Sequence, residues 1–338
     1  MAQTFSKVLV AGGAGFIGSH FARLLLREHG IAAVVYDKLT YAGNLDNLAD
    51  MDGDPGFAFV QGDIADAGAL ALAAHGCDAI VNFAAETHVD RSIADPEAFL
   101  ETDVTGTYRL MQTALELGIG KVVQVSTDEV YGDVAAGSAD EDWPLVPSSP
   151  YSASKAAGDL LAFAFARTYR LPVCVTRGSN TYGPNQYPEK LIPLFVTNAL
   201  EGLSLPLYGD GLQRRDWLHV EDHARGVATV LFEGEPGQAY NVGGGNERTN
   251  REITDIILRE LDLPASAVKH VEDRPGHDRR YSLDSSKLKT LGWQPLMAFE
   301  RGITQTIRWY RDNRAWWERI KSGEAFTQWR ERWYAGRE

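Results

Sequence analysis

Cysteine is scarce in this sequence, with two residues in a chain of 338. Two cysteines cannot build a disulfide framework, and their positions show none of the spacings typical of a metal site. Cys77 and Cys174 both lie among apolar residues, which favours buried structural thiols. We therefore predict a protein without a metal site, from a reducing compartment, the cytoplasm.

Long apolar runs are also missing, and none is long enough to cross a bilayer. The first residues lead directly into a strand pattern, without the features of a signal peptide. Basic residues are outnumbered, with 33 Lys and Arg against 46 Asp and Glu and a net charge of −13. Nucleic acids and anionic lipids are bound largely through basic contacts, so neither is an expected partner. A local basic pocket could still bind an anionic small molecule.

Strand and helix patterns alternate through the first half of the chain. Short β-branched runs predict strands at 7–10, 32–36, 57–61, 79–83, 121–126 and 173–177. Periodic apolar positions predict helices at 16–28, 95–117 and 151–169. This alternation predicts an α/β fold with a Rossmann-type, doubly wound parallel sheet, whose ligands bind beyond the carboxyl ends of the strands.

A glycine-rich turn, Gly12-Gly13-Ala14-Gly15-Phe16-Ile17-Gly18, follows the first predicted strand and opens a helix. Its glycines permit a tight turn, close approach of the backbone to a pyrophosphate, and close helix–strand packing. Asp37 ends the next strand about 20 residues on, where a carboxylate binds a ribose hydroxyl and disfavours a 2′-phosphate. The pattern predicts a dinucleotide site that prefers NAD, although Lys38 leaves NADP open.

The pattern loosens after residue 178, where prolines and glycines divide the chain into short pieces. We predict that residues 1–178 form mainly the NAD-binding Rossmann domain and residues 179–338 mainly a smaller C-terminal α/β lobe for the substrate. No linker separates the two, so we expect the chain to cross between them. An aromatic segment at 300–317 predicts a terminal helix packed onto the body.

Tyr151 and Lys155 lie four residues apart on the predicted helix 151–169 and therefore share one face. An ammonium beside a phenol favours the phenolate, which is the base that an alcohol oxidation needs. Such pairs also occur on solvated helix faces. Because this pair follows a dinucleotide motif and a strand that ends in Ser-Thr, we favour a catalytic role.

Asp128 and Glu129 follow the predicted strand 121–126 directly. They could be loop carboxylates, or Asp128 could cap a helix. In a buried site the same two groups would form an acid/base pair with separated pKa values. Further along, Pro- and Gly-rich loops contain Lys190, Arg215, Arg274 and His277, and Arg side chains in such loops suit a diphosphate. Individually these cations could be solvated loop charges.

Together these motifs resemble the extended short-chain dehydrogenase/reductases and, within them, the dTDP-glucose 4,6-dehydratases. The resemblance extends over nearly the whole chain, and its most specific part is the triplet Thr127-Asp128-Glu129. Departures occur at four positions: Ala11, Asp103, Gly178 and Thr181 replace the residues that are usual there. They leave open the fit of the substrate and the choice between dTDP and UDP.

The resemblance implies a sequence of proton transfers around bound NAD. Tyr151, aided by Lys155 and Thr127, takes the proton of the sugar C4 hydroxyl as C4 is oxidised. The resulting ketone acidifies C5, so that Glu129 removes the C5 proton and Asp128 protonates the departing C6 hydroxyl. Return of the hydride to C6 and of a proton to C5 gives the 4-keto-6-deoxy sugar.

The resemblance also assigns binding residues and a homodimer. The expected cofactor contacts are Gly12, Gly15, Phe16, Ile17, Gly18, Asp37, Lys38, Leu39, Thr40, Asp63, Ile64, Phe83, Ala84, Ala85, Thr102, Tyr151, Lys155 and Thr181. The expected nucleotide-sugar contacts are Thr87, Asn180, Lys190, Leu191, Pro206, Leu207, Tyr208, Arg215, Asn241, Arg274 and His277. The helices at roughly 98–118 and 151–169 would pair with those of a second copy in a four-helix bundle.

Three alternatives remain open at this point. A sugar-nucleotide 4-epimerase and a UDP-glucuronate decarboxylase would use the same scaffold, although the acidic pair argues against the epimerase. A non-catalytic NAD-binding regulator would have no need of the Tyr151/Lys155 base.

Overall fold

A parallel sheet occupies the centre of the molecule in the computed structural model, which describes residues 4–334. The strands are β1 Lys7–Ala11, β2 Ala32–Asp37, β3 Phe57–Gln61, β4 Ala79–Asn82, β5 Lys121–Thr127, β6 Val173–Gly178, β7 Asn180–Tyr182, β8 Leu205–Tyr208, β9 Arg214–His219, β10 Ala239–Val242, β11 Glu247–Thr249 and β12 Val268–Val271. Seven of them form one sheet in the order β10-β6-β5-β4-β1-β2-β3, and every pair in it is parallel. The predicted Rossmann-type α/β fold is therefore confirmed.

Thirteen helices lie around this sheet and in the C-terminal part of the described residues. They are α1 Phe16–Leu24, α2 Ala67–Ala74, α3 Val89–Ala94, α4 Glu97–Phe99, α5 Thr107–Glu116, α6 Pro150–Tyr169, α7 Leu191–Leu200, α8 Val220–Glu233, α9 Asn250–Glu260, α10 Ser286–Thr290, α11 Phe299–Asp312, α12 Arg314–Lys321 and α13 Glu324–Tyr334. A π-helical segment at Leu25–His29 extends α1, and another at Leu100–Gly106 joins α4 to α5. Short 3₁₀ helices cover Leu45–Met51, Asp128–Tyr131 and Ala265–Ala267.

The strand order places a crevice between β1 and β4. The chain runs outward from β1 through β2 to β3 and then returns to β4 on the other side of β1. Loops that leave β1 and β4 therefore diverge to opposite faces, and ligands of doubly wound sheets bind at such a point. The glycine-rich turn follows β1 and Ala84 follows β4, so both lie at this crevice.

Two small sheets, with orders β11-β9-β7 and β12-β8, accompany a second, aromatic core. Tyr310 and Trp317 are fully buried in that core. The predicted packing of the terminal aromatics is confirmed, but the single helix predicted at 300–317 is wrong. Asn313 has non-helical backbone angles and separates α11 from α12, and its side-chain amide donates to the Trp309 carbonyl.

Residues beyond 178 also contribute to the large sheet. β10 pairs with β6 at its edge, and α8 packs against α1. A division of the chain at residue 178 stays a prediction. Cys77 and Cys174 are buried free thiols, as predicted. Within residues 4–334 no helix combines the length and the apolarity that a membrane span needs.

Candidate active site

One deep cleft lies beyond the carboxyl ends of the central strands and contains most of the predicted site. It is lined by the predicted catalytic residues Thr127, Asp128, Glu129, Tyr151 and Lys155. It is also lined by the predicted cofactor residues Gly12, Gly15, Phe16, Ile17, Gly18, Asp37, Lys38, Thr40, Asp63, Ile64, Phe83, Ala84, Ala85, Thr102 and Thr181. Thr87, Asn180 and Lys190 are the predicted substrate residues in its wall.

The glycine-rich turn is shaped for a phosphate-bearing ligand. Gly12 has a φ of +72°, and a Cβ there would lie 2.4 Å from the backbone nitrogen of Ala84. A Cβ on Gly18 would lie 2.4 Å from the Gly12 carbonyl oxygen. Gly15 caps the N-terminus of α1 without a side-chain hydrogen bond, so the first backbone N–H groups of this helix are open to an anion.

Asp37 is oriented by backbone donors at the end of β2. Its Oδ2 accepts from the Ala14 N–H at 2.9 Å and its Oδ1 from the Leu39 N–H at 2.8 Å. Burial raises the pKa of Asp37, and these two donors oppose the shift. Lys38 forms an ion pair with Asp63 at 2.6 Å. Because its charge already has a partner, Lys38 is poorly placed to favour a 2′-phosphate, and the cleft fits NAD.

The acidic segment begins where β5 ends. Thr127 caps the 3₁₀ segment Asp128–Tyr131, since its Oγ1 accepts from the Glu129 N–H at 3.2 Å. The same hydroxyl donates to Asp128 Oδ1 at 3.2 Å. Thr127, and not Asp128, is therefore the cap. This turn directs both carboxyl side chains into the cleft lining.

Tyr151 lies in the first turn of α6, which a Ser149–Ser152 capping box stabilises. Burial, together with the Glu129 and Asp103 carboxylates, raises the pKa of the Tyr151 phenol well above its ordinary value, and the Thr127 hydroxyl opposes that shift. Lys155 is 5% exposed, and its Nζ donates to the Val125 carbonyl at 2.9 Å. Without a bound ligand, burial and the neighbouring carboxylates therefore keep the Tyr151 phenol protonated.

Asp128 and Glu129 sit in unequal electrostatic surroundings. Burial raises the pKa of Asp128 well above its ordinary value, and the Glu129 carboxylate raises it further. Burial also raises the pKa of Glu129, but Arg274, Lys190 and Arg215 all oppose that shift. Cations favour an ionised carboxyl and burial favours a neutral one. Asp128 is therefore suited to give a proton and Glu129 to take one.

The loop cations come together near Glu129, although only Lys190 lines the cleft itself. The Lys190 ammonium donates to the Thr87 carbonyl. The Arg215 guanidinium lies 4.2 Å from the Tyr281 ring centroid and donates to the Asp278 carbonyl. Arg274 Nη1 is buried, has no hydrogen-bond partner within residues 4–334, and lies 3.8 Å from Asp90 Oδ1 in an ion pair. The His277 Nδ1 lies 2.6 Å from Asp273 Oδ1.

Other predicted residues lie outside the cleft lining that the described residues form. Tyr208 donates from its hydroxyl to Asp90 Oδ2 at 3.0 Å. Asn241 is fully buried, where its Oδ1 accepts from the Tyr131 hydroxyl and its Nδ2 donates to the Ala139 carbonyl. Its placement favours a structural role, and its contact with substrate stays a prediction. Also outside the lining are Leu39, Leu191, Pro206, Leu207, Arg215, Arg274 and His277.

Sequence reasoning did not identify several residues of the cleft. Glu86 lines it, and burial, assisted by the Asp103 carboxylate, raises its pKa to about 7. Glu86 begins a polar run directly after β4, and that position in the sequence could have identified it as a site residue. His223 also lines the cleft, but it lies within α8, where no motif pointed to it. Gln186 and Tyr187 come from a Pro-rich loop without a spacing that would single them out.

Comparison with known proteins gives consistent matches. The model of the GDP-mannose 4,6 dehydratase family matches residues 9–306. The chain is 51% identical over 327 residues to a dTDP-glucose 4,6-dehydratase of Streptomyces niveus, covering 95% of this chain and 97% of that protein. It is similar to the crystal structure of DesIV, a dTDP-glucose 4,6-dehydratase from Streptomyces venezuelae with NAD and dTDP bound. That likeness has a TM-score of 0.92 and 56% identity over 93% of this chain and 100% of the other.

A solved epimerase has the same fold at lower identity. The UDP-glucose 4-epimerase of Thermus thermophilus in complex with NAD matches at a TM-score of 0.84 and 33% identity, over 91% of this chain and 99% of that chain.

Proposed function

The chain belongs to the dTDP-glucose 4,6-dehydratases, within the family described as GDP-mannose 4,6 dehydratase, and we propose that it removes water from dTDP-glucose to give dTDP-4-keto-6-deoxyglucose. In this proposal it is an NAD-dependent lyase of the hydro-lyase class. The observation that carries the proposal is the unequal pair Asp128 and Glu129 beside Tyr151 in one cleft.

Oxidation at C4 needs a base at the C4 hydroxyl, and Tyr151 is the base. NAD⁺, which Gly12, Gly15 and Asp37 would hold in the cleft, would supply the hydride acceptor for C4 and, in reduced form, the hydride for C6. Because burial and carboxylates hold Tyr151 neutral in the protein alone, additional positive charge in the cleft is what allows it to ionise. The Thr127 hydroxyl, which lowers the pKa of Tyr151, favours the phenolate in the same direction.

Elimination then uses the two carboxyl groups. A hydroxyl is a poor leaving group and a C–H bond is a weak acid, so both need help in the same step. Glu129, whose carboxylate the three nearby cations favour, takes the proton from C5. Asp128, whose pKa burial raises well above its ordinary value, gives its proton to the oxygen that leaves C6.

Binding of the nucleotide part falls to the cationic groups near Glu129. Arg274 Nη1 is buried and is paired with Asp90 Oδ1 at 3.8 Å without a hydrogen bond among the described residues, so its N–H group could still donate to a diphosphate oxygen. Lys190 in the cleft wall and Arg215 behind it add positive charge to the same region. This cluster explains how a chain of net charge −13 would hold an anionic substrate.

The decisive experiment incubates the NAD-loaded protein with dTDP-glucose and, separately, with UDP-glucose and UDP-glucuronate. Mass spectrometry should show loss of water from dTDP-glucose, with a 4-keto group that borodeuteride reduction labels. Recovery of dTDP-galactose without loss of water would identify an epimerase, and loss of carbon dioxide from UDP-glucuronate a decarboxylase. No turnover with NAD still bound would favour the regulator.

We further propose a cytoplasmic homodimer. Large apolar side chains are exposed on the two helical regions that would form the interface: Leu100, Tyr108 and Leu115 on one, and Leu160 and Tyr169 on the other. Apolar side chains gathered on neighbouring helices are typical of a covered surface. Sedimentation of the wild-type protein should give twice the chain mass of 37.2 kDa, and Leu160→Glu should give the single mass.

A further inference from the structure

The dehydration proposed above, on which the following inference rests, uses residues from two separate elements. Tyr151 and Lys155, which act at C4, lie on α6. Asp128 and Glu129, which act at C5 and C6, lie on the 3₁₀ segment Asp128–Tyr131. Both steps take place on one sugar ring, so the position of one element relative to the other matters. A displacement of about 1 Å can slow a reaction roughly 100-fold.

Arg177, on β6, is hydrogen-bonded to both elements. Its Nε donates to Asp159 Oδ2 at 2.9 Å, and Asp159 lies on α6. Its Nη1 donates to the Tyr131 hydroxyl at 2.8 Å, and Tyr131 is the last residue of the 3₁₀ segment. The guanidinium carbon also lies 4.9 Å from the Tyr131 ring centroid. One planar group therefore bridges the two elements.

The α6 end of this bridge is on the helix face that carries the proposed base. Tyr151, Lys155 and Asp159 follow one another at intervals of four residues and so share one side of α6. The side chains of Arg177 and Asp159 are 3% and 0% exposed. A buried ion pair is costly to break at one partner, because the other charge is then left without compensation. This end of the bridge is therefore firmly held.

The other end is held by a set of buried hydrogen bonds. Tyr131 is 2% exposed, and its hydroxyl donates to Asn241 Oδ1 at 2.8 Å. Asn241 Nδ2 in turn donates to the Ala139 carbonyl at 2.9 Å. Arg177 Nη1 donates as well to the Glu141 carbonyl at 3.2 Å. The 3₁₀ segment starts directly from β5, and the Tyr131 hydroxyl anchors its far end.

We propose that Arg177 is a positioning residue that sets the acid/base pair Asp128 and Glu129 against the base on α6. It lies outside the lining of the cleft that the described residues form, and it acts through Tyr131 and Asp159. Lysine would keep the positive charge but lacks the planar fork that holds two partners in fixed directions. Arg177 therefore contributes geometry as well as charge.

Loss of the bridge at Tyr131 should separate the two steps of the reaction. The Lys155 ammonium is tied to β5 by its own hydrogen bond to the Val125 carbonyl, so this contact of α6 stays when the Tyr131 link is lost. C4 oxidation should then continue, while loss of water, which needs both carboxyl groups in place, should slow. A residue that only stabilised the fold would affect both steps alike.

The first test is Tyr131→Phe, which removes one hydroxyl and keeps the ring. NAD-loaded enzyme in excess is mixed with dTDP-glucose. Absorbance of the reduced cofactor follows C4 oxidation, and rapid quench with mass spectrometry follows loss of water. We expect oxidation close to the wild-type rate and loss of water slowed roughly 10- to 100-fold, so that reduced cofactor accumulates.

Tyr240→Phe is the matched control. The Tyr240 side chain is also buried, and its hydroxyl accepts from the Glu235 N–H at 2.8 Å, outside the cleft lining of the described residues. Both rates should stay at the wild-type value in this variant.

Arg177→Lys tests the guanidinium itself. It keeps the charge beside Asp159 and should separate the two rates as Tyr131→Phe does. The double variant should slow loss of water no more than the more affected single variant, because both changes break the same bridge. If Arg177→Lys does not fold, the comparison of Tyr131→Phe with Tyr240→Phe decides the question.

Three results would overturn the proposal. Equal slowing of both steps in Tyr131→Phe would limit the bridge to stabilising the fold. Wild-type rates of both steps in that variant would show that the anchor is not needed. A wild-type ratio of the two rates in Arg177→Lys would show that charge alone is enough. Absence of any dehydrated product from wild type would instead overturn the proposed function itself.

Discussion

Gly178 and His223 are fitted against each other at the end of β6. A Cβ on residue 178 would lie 2.4 Å from His223 Cε1, so the imidazole ring occupies the space of a missing side chain. The His223 Nδ1 lies 2.7 Å from Thr181 Oγ1, and burial lowers the pKa of His223 to about 4. A neutral, fixed imidazole therefore forms part of the cleft wall.

This contact predicts a strong coupling between the two positions. Gly178→Ala should lower the free energy of unfolding by about 1–3 kcal/mol, because the added methyl group has no room beside the ring. In a His223→Ala background the same change should cost little. Urea denaturation of the four proteins measures the coupling.

A matched control is Gly68→Ala in α2, where the new Cβ would make ordinary van der Waals contact at 3.5 Å. That variant should keep its stability. Equal costs of Gly178→Ala with and without His223 would show that the ring is not the obstacle.

Cofactor preference should depend on Asp37. Asp37→Asn removes the charge that binds a ribose hydroxyl and repels a 2′-phosphate. We expect the affinity for NADH to fall roughly tenfold and the preference for NADH over NADPH to narrow, as measured by fluorescence titration. Lys38→Met is the control, because Lys38 is half exposed and paired with Asp63. A larger change in Lys38→Met than in Asp37→Asn would contradict the assignment.

Substitutions of the two acidic residues, Asp128 and Glu129, should impair different steps of the reaction. Glu129→Gln should block deuterium exchange at C5 while C4 oxidation, seen as absorbance of the reduced cofactor, continues. Asp128→Asn should permit C5 exchange and slow water loss, and each change should reduce turnover by about 10²–10⁴-fold. Nuclear magnetic resonance of the sugar in deuterated buffer distinguishes the two. Full exchange in Glu129→Gln would remove that residue from its role.

Glu86 should make stability depend on pH. Burial, assisted by Asp103, raises its pKa from 4.5 to about 7 in the folded protein. Such a group binds protons more tightly when folded, so its stabilising contribution is complete below pH 4.5 and is lost as the pH rises through about 7. Glu86→Gln should therefore gain stability over wild type by about 2 kcal/mol at a pH above this range and gain little below it.

Chemical denaturation across pH measures this difference. The exposed Glu97 provides the matched control, since Glu97→Gln changes a carboxyl that folding does not bury. A pH-independent difference between Glu86→Gln and wild type would show that the Glu86 carboxyl does not titrate in this range.

Local patterns were enough for the sheet and the cofactor loop. The strand predicted at 57–61 has those bounds, and the helix predicted at 151–169 begins one residue earlier in the structure. The spacing of Gly12, Gly15 and Gly18 likewise predicted a turn that the structure shows. Such features depend on residues close together in the chain, which the sequence displays directly.

The region predicted as the terminal helix shows what local sequence patterns do not predict. Helical periodicity continues through 300–317, but Asn313 breaks it where α11 and α12 pack around the aromatic core. The resemblance implied a substrate contact for Asn241, which stays a prediction, and in the fold its side chain is hydrogen-bonded to Tyr131 and Ala139. Both outcomes depend on packing between segments that are distant in sequence, and tertiary context overrides local preference.

By itself the sequence determined the fold class, the dinucleotide turn and the residue types on which the predicted reaction depends. Only the tertiary structure determined the burial and the pKa shifts of those residues. Arg215 and Arg274, far along the chain, oppose the rise in the pKa of Glu129, and burial raises the pKa of the adjacent Asp128 well above its ordinary value. The physical reason is that a pKa depends on depth and on nearby charge, and neither is visible until the chain has folded.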